Sequence, residues 1–532
     1  MSLDDKVVRG EKIEYKPYTK GLGEFYFENC DIQSENVFQI DPITDRKETY
    51  ASIKQRSIRL AIHLKKLGVN STHYIIICSK NTMDNCIPHF SAQFLGATTA
   101  GLHPTQSIRE WTHCMKTVSP KLVFIEENCV QNMEKCLENL ETKPELIVFG
   151  KSDKYKTFDD LQTQFEDEGT FRPAEVKNPQ DTAVIMFSSG TTGAPKGMRI
   201  SHFSVINKTI LMMGPGPFKK NVTGLTYSTL YWISSILQLA LCFYTGAAKM
   251  ISPMQCDPKE MLEMIEKYKI SFIFINPVIL RPILSLNNIE KYDTSSLQFI
   301  TLVGTGLNGN EMVQLRKIFK HTIISQAYGA SETLTSGTSF SFTDQHLLSK
   351  LESVGKVSPN CEIKIVNPES GTILGPNESG EIYIKSPFSF SGYCNIDSTD
   401  YLDKDGFFKT GDLGYYDEDK CFYIVGRLKE TFKYRTYHIP PNYLEYILQE
   451  HPDVSEAGVF GIPHRTDGHL PAACLTLKEN ATTSVDDIED FYTKNVSDWH
   501  KLRGGIKIVD SLPMTPTCKI QRNKLLELFL RR

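Results

Sequence analysis

The chain lacks most of what would mark it for a membrane, an oxidising compartment or a nucleic acid. No Cys-x-x-Cys pair occurs among its 13 cysteines, which scatter from Cys30 to Cys518 without regular spacing. Neither a zinc ribbon nor a disulfide framework is indicated, and the thiols are expected to be reduced. No long block of one charge occurs either: 59 basic residues face 63 acidic ones, for a formal net charge of -4. That excludes a global field for a polyanion, so nucleic acid is not an expected partner and any phosphate site must be local. Long apolar runs are missing as well. The most apolar central stretch, residues 236–248, is too short and too interrupted to span a bilayer, so no transmembrane segment is expected. Met1-Ser2-Leu3-Asp4-Asp5-Lys6 has no apolar signal core, and Leu530-Arg531-Arg532 is not a Ser-Lys-Leu address, so a cytoplasmic protein is expected.

What is present is an ordinary globular composition, 40% hydrophobic and 23% charged, spread over 532 residues. That length exceeds one core and predicts two or more units. Ile53, Leu60, Ala61, Leu64 and Leu67 share a helical face that Gly68 stops, and Tyr74-Ile75-Ile76-Ile77-Cys78 follows as a buried strand. Asp257-Pro258 reads as a helix cap and first turn before the face Met261, Leu262, Ile265 and Tyr268, with a strand over 270–275. Residues 122–125, 184–187 and 299–303 are further apolar strands. The alternation predicts an α/β fold of largely parallel sheets covered by helices. From about residue 351 shorter alternating strands, such as 361–366 and 381–385, predict a β-rich subdomain over 351–426. A strand over 422–425 leads into the charged Gly426-Arg427-Leu428-Lys429, read as a hinge between an N-terminal domain, 1–426, and a small mobile α+β lid, 427–532.

Phe187-Ser188-Ser189-Gly190-Thr191-Thr192-Gly193-Ala194-Pro195-Lys196-Gly197 directly follows the 184–187 strand. Four hydroxyls, three glycines and one lysine can wrap a polyphosphate with side-chain O–H, backbone N–H and a single cation. The order differs from a Walker A loop, because the lysine follows proline and precedes glycine. A flexible linker would seldom sit straight after a buried strand with this composition.

This loop resembles the signature of the adenylate-forming superfamily, which contains acyl-CoA synthetases, plant coumarate ligases, peptide-synthetase adenylation domains and beetle luciferases. Further segments match in the family's order: Tyr328-Gly329-Ala330-Ser331-Glu332, Lys409-Thr410-Gly411-Asp412, Gly426-Arg427-Leu428-Lys429-Glu430 and Pro513-Met514-Thr515-Pro516-Thr517-Cys518-Lys519. The resemblance covers essentially the whole chain and looks closest to insect luciferase-like ligases. It implies that ATP is held by Ser188, Ser189, Gly190, Thr191, Thr192, Gly193 and Lys196. Gly304-Thr305-Gly306, Tyr328 and Gly329 would lie at the adenine, with Asp412 and Arg427 at the ribose. Glu332 would hold Mg²⁺ against the phosphates. Lys519 would stabilise the adenylation transition state, with catalytic roles also for Lys196 and Lys433, and Lys429 would be the hinge. The implied chemistry activates a carboxylic acid, fatty or aromatic, as its acyl-AMP, then passes the acyl group to CoA.

Three positions depart from the family. Where beetle luciferases carry a His-His pair, this chain has Thr229-Leu230-Tyr231-Trp232-Ile233, so Tyr231 and Trp232 are expected to wall the acid pocket. Thr436 stands where most relatives have a glycine lining the thiol path, and Cys518 where glycine precedes the catalytic lysine. Transfer to CoA therefore competes with a second reading, in which the adenylate of a luciferin meets O₂ and emits light. A dead binding protein is disfavoured by the retained Lys196, Glu332, Asp412, Arg427 and Lys519. Neither the acid's identity nor the oligomeric state is legible in the sequence.

Overall fold

The computed structural model describes residues 6–188, 195–213, 222–252, 257–335, 337–340, 344–435, 437–496, 498–515 and 520–531. The expected helix forms over Tyr50–Lys66, started by the Thr49 hydroxyl, which accepts from the Ser52 N–H, and ended just before Gly68 at φ 73°. It feeds the Tyr74–Cys78 strand, buried on both faces save at its first residue. The Pro258–Tyr268 helix is capped by Asp257, whose carboxylate accepts from the Lys259 N–H, and leads to the Phe272–Ile275 strand.

Two seven-stranded sheets form the bulk of the fold. One runs Lys196–Ser201, Thr182–Ser188, Thr98–Leu102, Tyr74–Cys78, Leu122–Glu126, Glu145–Phe149, Lys156–Thr157. The other runs Ile323–Gln326, Phe299–Leu302, Phe272–Ile275, Thr223–Leu225, Ala248–Met250, Val37–Ile40, Lys47–Thr49. Both are parallel except for one antiparallel edge strand each, Lys196–Ser201 and Lys47–Thr49. Helices Leu22–Ile32, Tyr50–Lys66, Ile87–Phe94 and Ile233–Thr245 join in one large apolar core with residues of both sheets. At its centre Tyr26, Phe38, Tyr50 and Phe90 surround Phe243 at ring-centroid distances of 4.6 to 5.3 Å. The Tyr50 Oη lies 2.6 and 2.7 Å from the carbonyl oxygens of Cys242 and Ala247, and the Tyr26 Oη lies 3.3 Å from His89 Nε2, so both hydroxyls of this cluster are satisfied. Most of the 236–248 stretch read as too short for a bilayer lies in the 13-residue Ile233–Thr245 helix, which ends before the Ala248–Met250 strand. Among the described residues no helix is long and apolar enough to cross a membrane, and the described cysteines are free thiols.

The β-rich segment is an antiparallel sheet of Glu362–Val366, Gly380–Lys385, Phe408–Tyr416 and Phe422–Arg427. Its edge is completed by Val8–Arg9, from the other end of the chain, with Arg9 Nε 3.2 Å from Glu362 Oε2. A two-residue strand has no readable period, so the sequence reading missed it. A last sheet contains Tyr437–Ile439, Phe432–Tyr434, Gly468–Leu477, Val454–His464 and Gly505–Ile508, with the Pro441–Gln449 and Val485–Lys494 helices contributing to its core.

Phe243→Ala should lower the unfolding free energy by about 3–5 kcal/mol, because the ring is 1% exposed and its neighbours cannot collapse into the space. Urea denaturation reads this, and a loss below ~1 kcal/mol would show that the aromatic cluster is not a cornerstone of the core.

Candidate active site

Parallel strands aim their carboxyl ends, and the loops that follow, at one side of a sheet. Here those loops border a cavity of about 2130 Å³. Gly304, Thr305 and Gly306 follow the Phe299–Leu302 strand, and Tyr328, Gly329 and Glu332 follow Ile323–Gln326; all six line the cavity. Asp412, Arg427 and Lys429 from the antiparallel sheet and the turn after it line it too, as do Lys196, Tyr231 and Trp232. Segments spread over more than two hundred residues thus meet at one opening.

The firmest geometry surrounds Asp412. It pairs in register with Arg427 across two antiparallel strands, and Arg427 Nε lies 3.0 Å from Asp412 Oδ1. The other carboxylate oxygen accepts from Tyr328 Oη at 2.7 Å. Burial, and then the charge of Asp412, push the Tyr328 phenol well above its ordinary range, so it stays a donor. Thr410 accepts the Asp412 N–H at 3.0 Å and itself donates to the Ile382 carbonyl at 2.7 Å. Glu381 accepts the Gly411 N–H at 3.1 Å, and burial raises its carboxyl above the usual range.

Lys196 and Glu332 are linked through two tyrosines that sequence reasoning missed. Lys196 Nζ donates to Tyr401 Oη at 2.6 Å, and the ammonium lies 4.5 Å from the Tyr401 ring centroid. Tyr393 Oη donates to Glu332 Oε1 at 2.7 Å, and the two tyrosine rings meet edge to face at 4.9 Å. Burial and the Glu332 carboxylate raise the Tyr393 phenol, which keeps its proton on the donor. The lysine and the carboxylate are thereby held on separate arms of one aromatic bracket. Neither tyrosine carried a signal for its contact, because Glu332 lies 61 residues from Tyr393 and Lys196 lies 205 residues from Tyr401 along the chain.

Two glycines have distinct reasons. Gly304 has φ 91°, a left-handed conformation, and a Cβ there would meet the Asn276 amide at 3.0 Å. At Gly329 a Cβ would sit 2.5 Å from the Thr335 carbonyl carbon, so backbone packing alone requires glycine. In the expected acid pocket Trp232 is half-buried, whereas Tyr231 is buried in the apolar cluster that contains Trp111 and Phe187, with His103 5.7 Å from its ring. Trp232 therefore presents more surface to the cavity than Tyr231 does.

Other expectations fall elsewhere. Lys429 is exposed in the turn between Arg427 and Thr431. The structure does not bring Lys433 to the cavity lining: it is exposed, 3.3 Å from Glu369. Ser189, Gly190, Thr191, Thr192, Gly193, Thr436, Cys518 and Lys519 lie outside the described residues, as does the side chain of Ser188. Met514 and Ile520 line the cavity.

This geometry coincides with a family pattern. The AMP-binding enzyme pattern matches residues 27–394, and that of the AMP-binding enzyme C-terminal domain matches 443–519. The chain belongs to the AMP-binding enzyme family. Within it, the chain is 30% identical to a luciferin 4-monooxygenase of Photinus pyralis, over 91% of this chain and 89% of that one. It is 28% identical to a probable 4-coumarate–CoA ligase of Dictyostelium discoideum, over 95% of each chain. A luciferase-like enzyme from the nonluminescent mealworm Zophobas morio superposes with a TM-score of 0.76 at 36% identity, covering 80% of this chain and 99% of that one.

In this AMP-binding enzyme Tyr401→Phe removes the oxygen that fixes Lys196 and leaves the ring. Nucleotide-dependent turnover should fall about tenfold, the worth of one hydrogen bond to a charged group, with an unchanged thermal midpoint. Wild-type turnover in that variant would remove Tyr401 from the site.

Proposed function

We propose that this chain activates a carboxylic acid with Mg-ATP, releasing pyrophosphate to form the acyl-adenylate, and then transfers the acyl group to CoA. The observation that carries the reading is the convergence of Lys196, Glu332, Asp412, Arg427 and the Gly304-Thr305-Gly306 turn on one cavity. Asp412, oriented by Arg427 and Tyr328, accepts the ribose hydroxyls. Tyr328 and the Gly304 turn border the adenine, and Lys196 faces the phosphates.

The residues fit a magnesium ion. Glu332 offers one positioned carboxylate, and among the described residues no group of three or more His, Cys, Asp or Glu could hold a metal. That suits Mg²⁺, which is held by one or two carboxylates and otherwise by substrate phosphate and water. Bound there, it would neutralise charge on the departing pyrophosphate. The acid carboxylate attacks the α-phosphorus, and Lys519 stabilises the charge that grows in that transition state. We divide the chain at 426/427 and assign Lys429 as the hinge on which residues 427–532 turn between the two half-reactions, with Lys433 serving the second. An ion pair of Arg522 with Glu430, 2.7 Å, ties the last helix to that turn.

The coumarate–CoA ligase relative supports CoA as the acceptor. The luciferin 4-monooxygenase relative favours a second reading, with O₂ attacking the adenylate of a luciferin and light as the product.

Lys519→Ala should reduce acid-dependent pyrophosphate release by at least about 100-fold with every acid tested. Unchanged release would overturn the adenylation assignment. In the same wells, acyl-CoA in the dark supports the ligase, whereas light that needs ATP and O₂ but not CoA supports the luciferase.

A further inference from the structure

The cavity contains a cation that no described side chain answers. Lys208 stands on the His202–Met213 helix, which also supplies Leu211 and Met212 to the lining; it is 5% exposed and borders the cavity. Among the described residues no carboxylate pairs with it, and the Cys361 thiol is the titratable group that acts on it. Burial lowers its affinity for the proton below that of an ordinary lysine. The neighbouring Ile233–Thr245 helix packs on this one and contributes Gln238, which is 8% exposed and also borders the cavity. Its Nε2 has no acceptor among the described residues.

Lysine is almost never fully buried without a partner, and an uncompensated ammonium inside a protein is strongly destabilising. A ligand that brings the missing charge removes that penalty, and a hydrocarbon tail does not. The two helices also present Leu211, Met212, Leu237 and Leu241 to the cavity, whereas Glu332, Asp412 and Arg427 come from other elements. A phenol, neutral at pH 7, would offer a hydrogen bond but no counter-charge. We propose that the acid activated here carries a second carboxylate, remote from the one that is adenylated, and that Lys208 and Gln238 receive it. The inference rests on the adenylation reading above and names its substrate class: dicarboxylic acids with an apolar spacer.

The test is pyrophosphate release by the full chain with matched acids: decanoic against decanedioic acid, and 3-phenylpropionic acid against its 4-carboxy and 4-hydroxy derivatives. The wild type should favour the diacid of each pair in kcat/KM by about 100-fold. Lys208→Arg should keep that preference and Lys208→Met should abolish it. Without ligand, Lys208→Met should melt above the wild type, because the unpaired charge is gone and the volume is kept, so lost preference cannot be put down to misfolding. Equal or better use of the monoacid by the wild type overturns the inference, as does a preference for the 4-hydroxy over the 4-carboxy acid. So does an undiminished diacid preference in Lys208→Met. Those results leave adenylation standing, whereas pyrophosphate release with no acid at all defeats both readings.

Discussion

Much of the site hangs on one carboxylate held from two sides. Asp412 faces Arg427 across a two-strand ladder and accepts from the Tyr328 phenol. Asp412 is buried and Arg427 partly exposed, so desolvation offsets much of the pair's attraction and its value lies in direction. The strands fix the backbone of both ionic partners, and Glu381 and Thr410 accept the N–H groups of Gly411 and Asp412. Tyr328 comes from the second parallel sheet, so the contact also joins that sheet to the antiparallel one.

The same economy appears at Lys196 and Glu332. Neither needs a counterion beside it, because Tyr401 and Tyr393 orient them while leaving their charges available to a ligand. A direct lysine–glutamate pair would neutralise both. Two phenol groups do not, and their edge-to-face packing keeps the spacing. In the proposed reading that spacing separates the phosphate contact from the metal contact.

Much of this was legible in the sequence, for a physical reason. Helix 50–66 and the strands after it follow from apolar period and from stops such as Gly68, which are local properties. The segments around Tyr328, Asp412 and Arg427 carried family likeness, and the fold brings them to one opening. What stayed hidden depends on contacts between distant parts. Val8–Arg9 is too short to show a period and finds its partner strand some 350 residues later. Tyr393 and Tyr401 look like turn residues until Lys196 and Glu332 are placed beside them. Lys208 and Asn207 are polar residues of the His202–Met213 helix, yet both are buried; Asn207 bonds the backbone of Tyr18, and Lys208 borders the cavity. Periodicity reports how a helix is sided, and cannot report a cavity on its polar side.

The most direct test of the account is calorimetric binding of Mg-ATP and of 2′,3′-dideoxy-ATP to the wild type and to Asp412→Asn. If Asp412 is the ribose acceptor, the wild type should favour ATP by about 10- to 100-fold, the worth of hydrogen bonds to a charged group, and the variant should bind both nucleotides with similar, weaker affinity. An Asp412→Asn protein that keeps the full preference for ATP would contradict it, and would leave the Asp412–Arg427–Tyr328 contact as a strut of the fold alone.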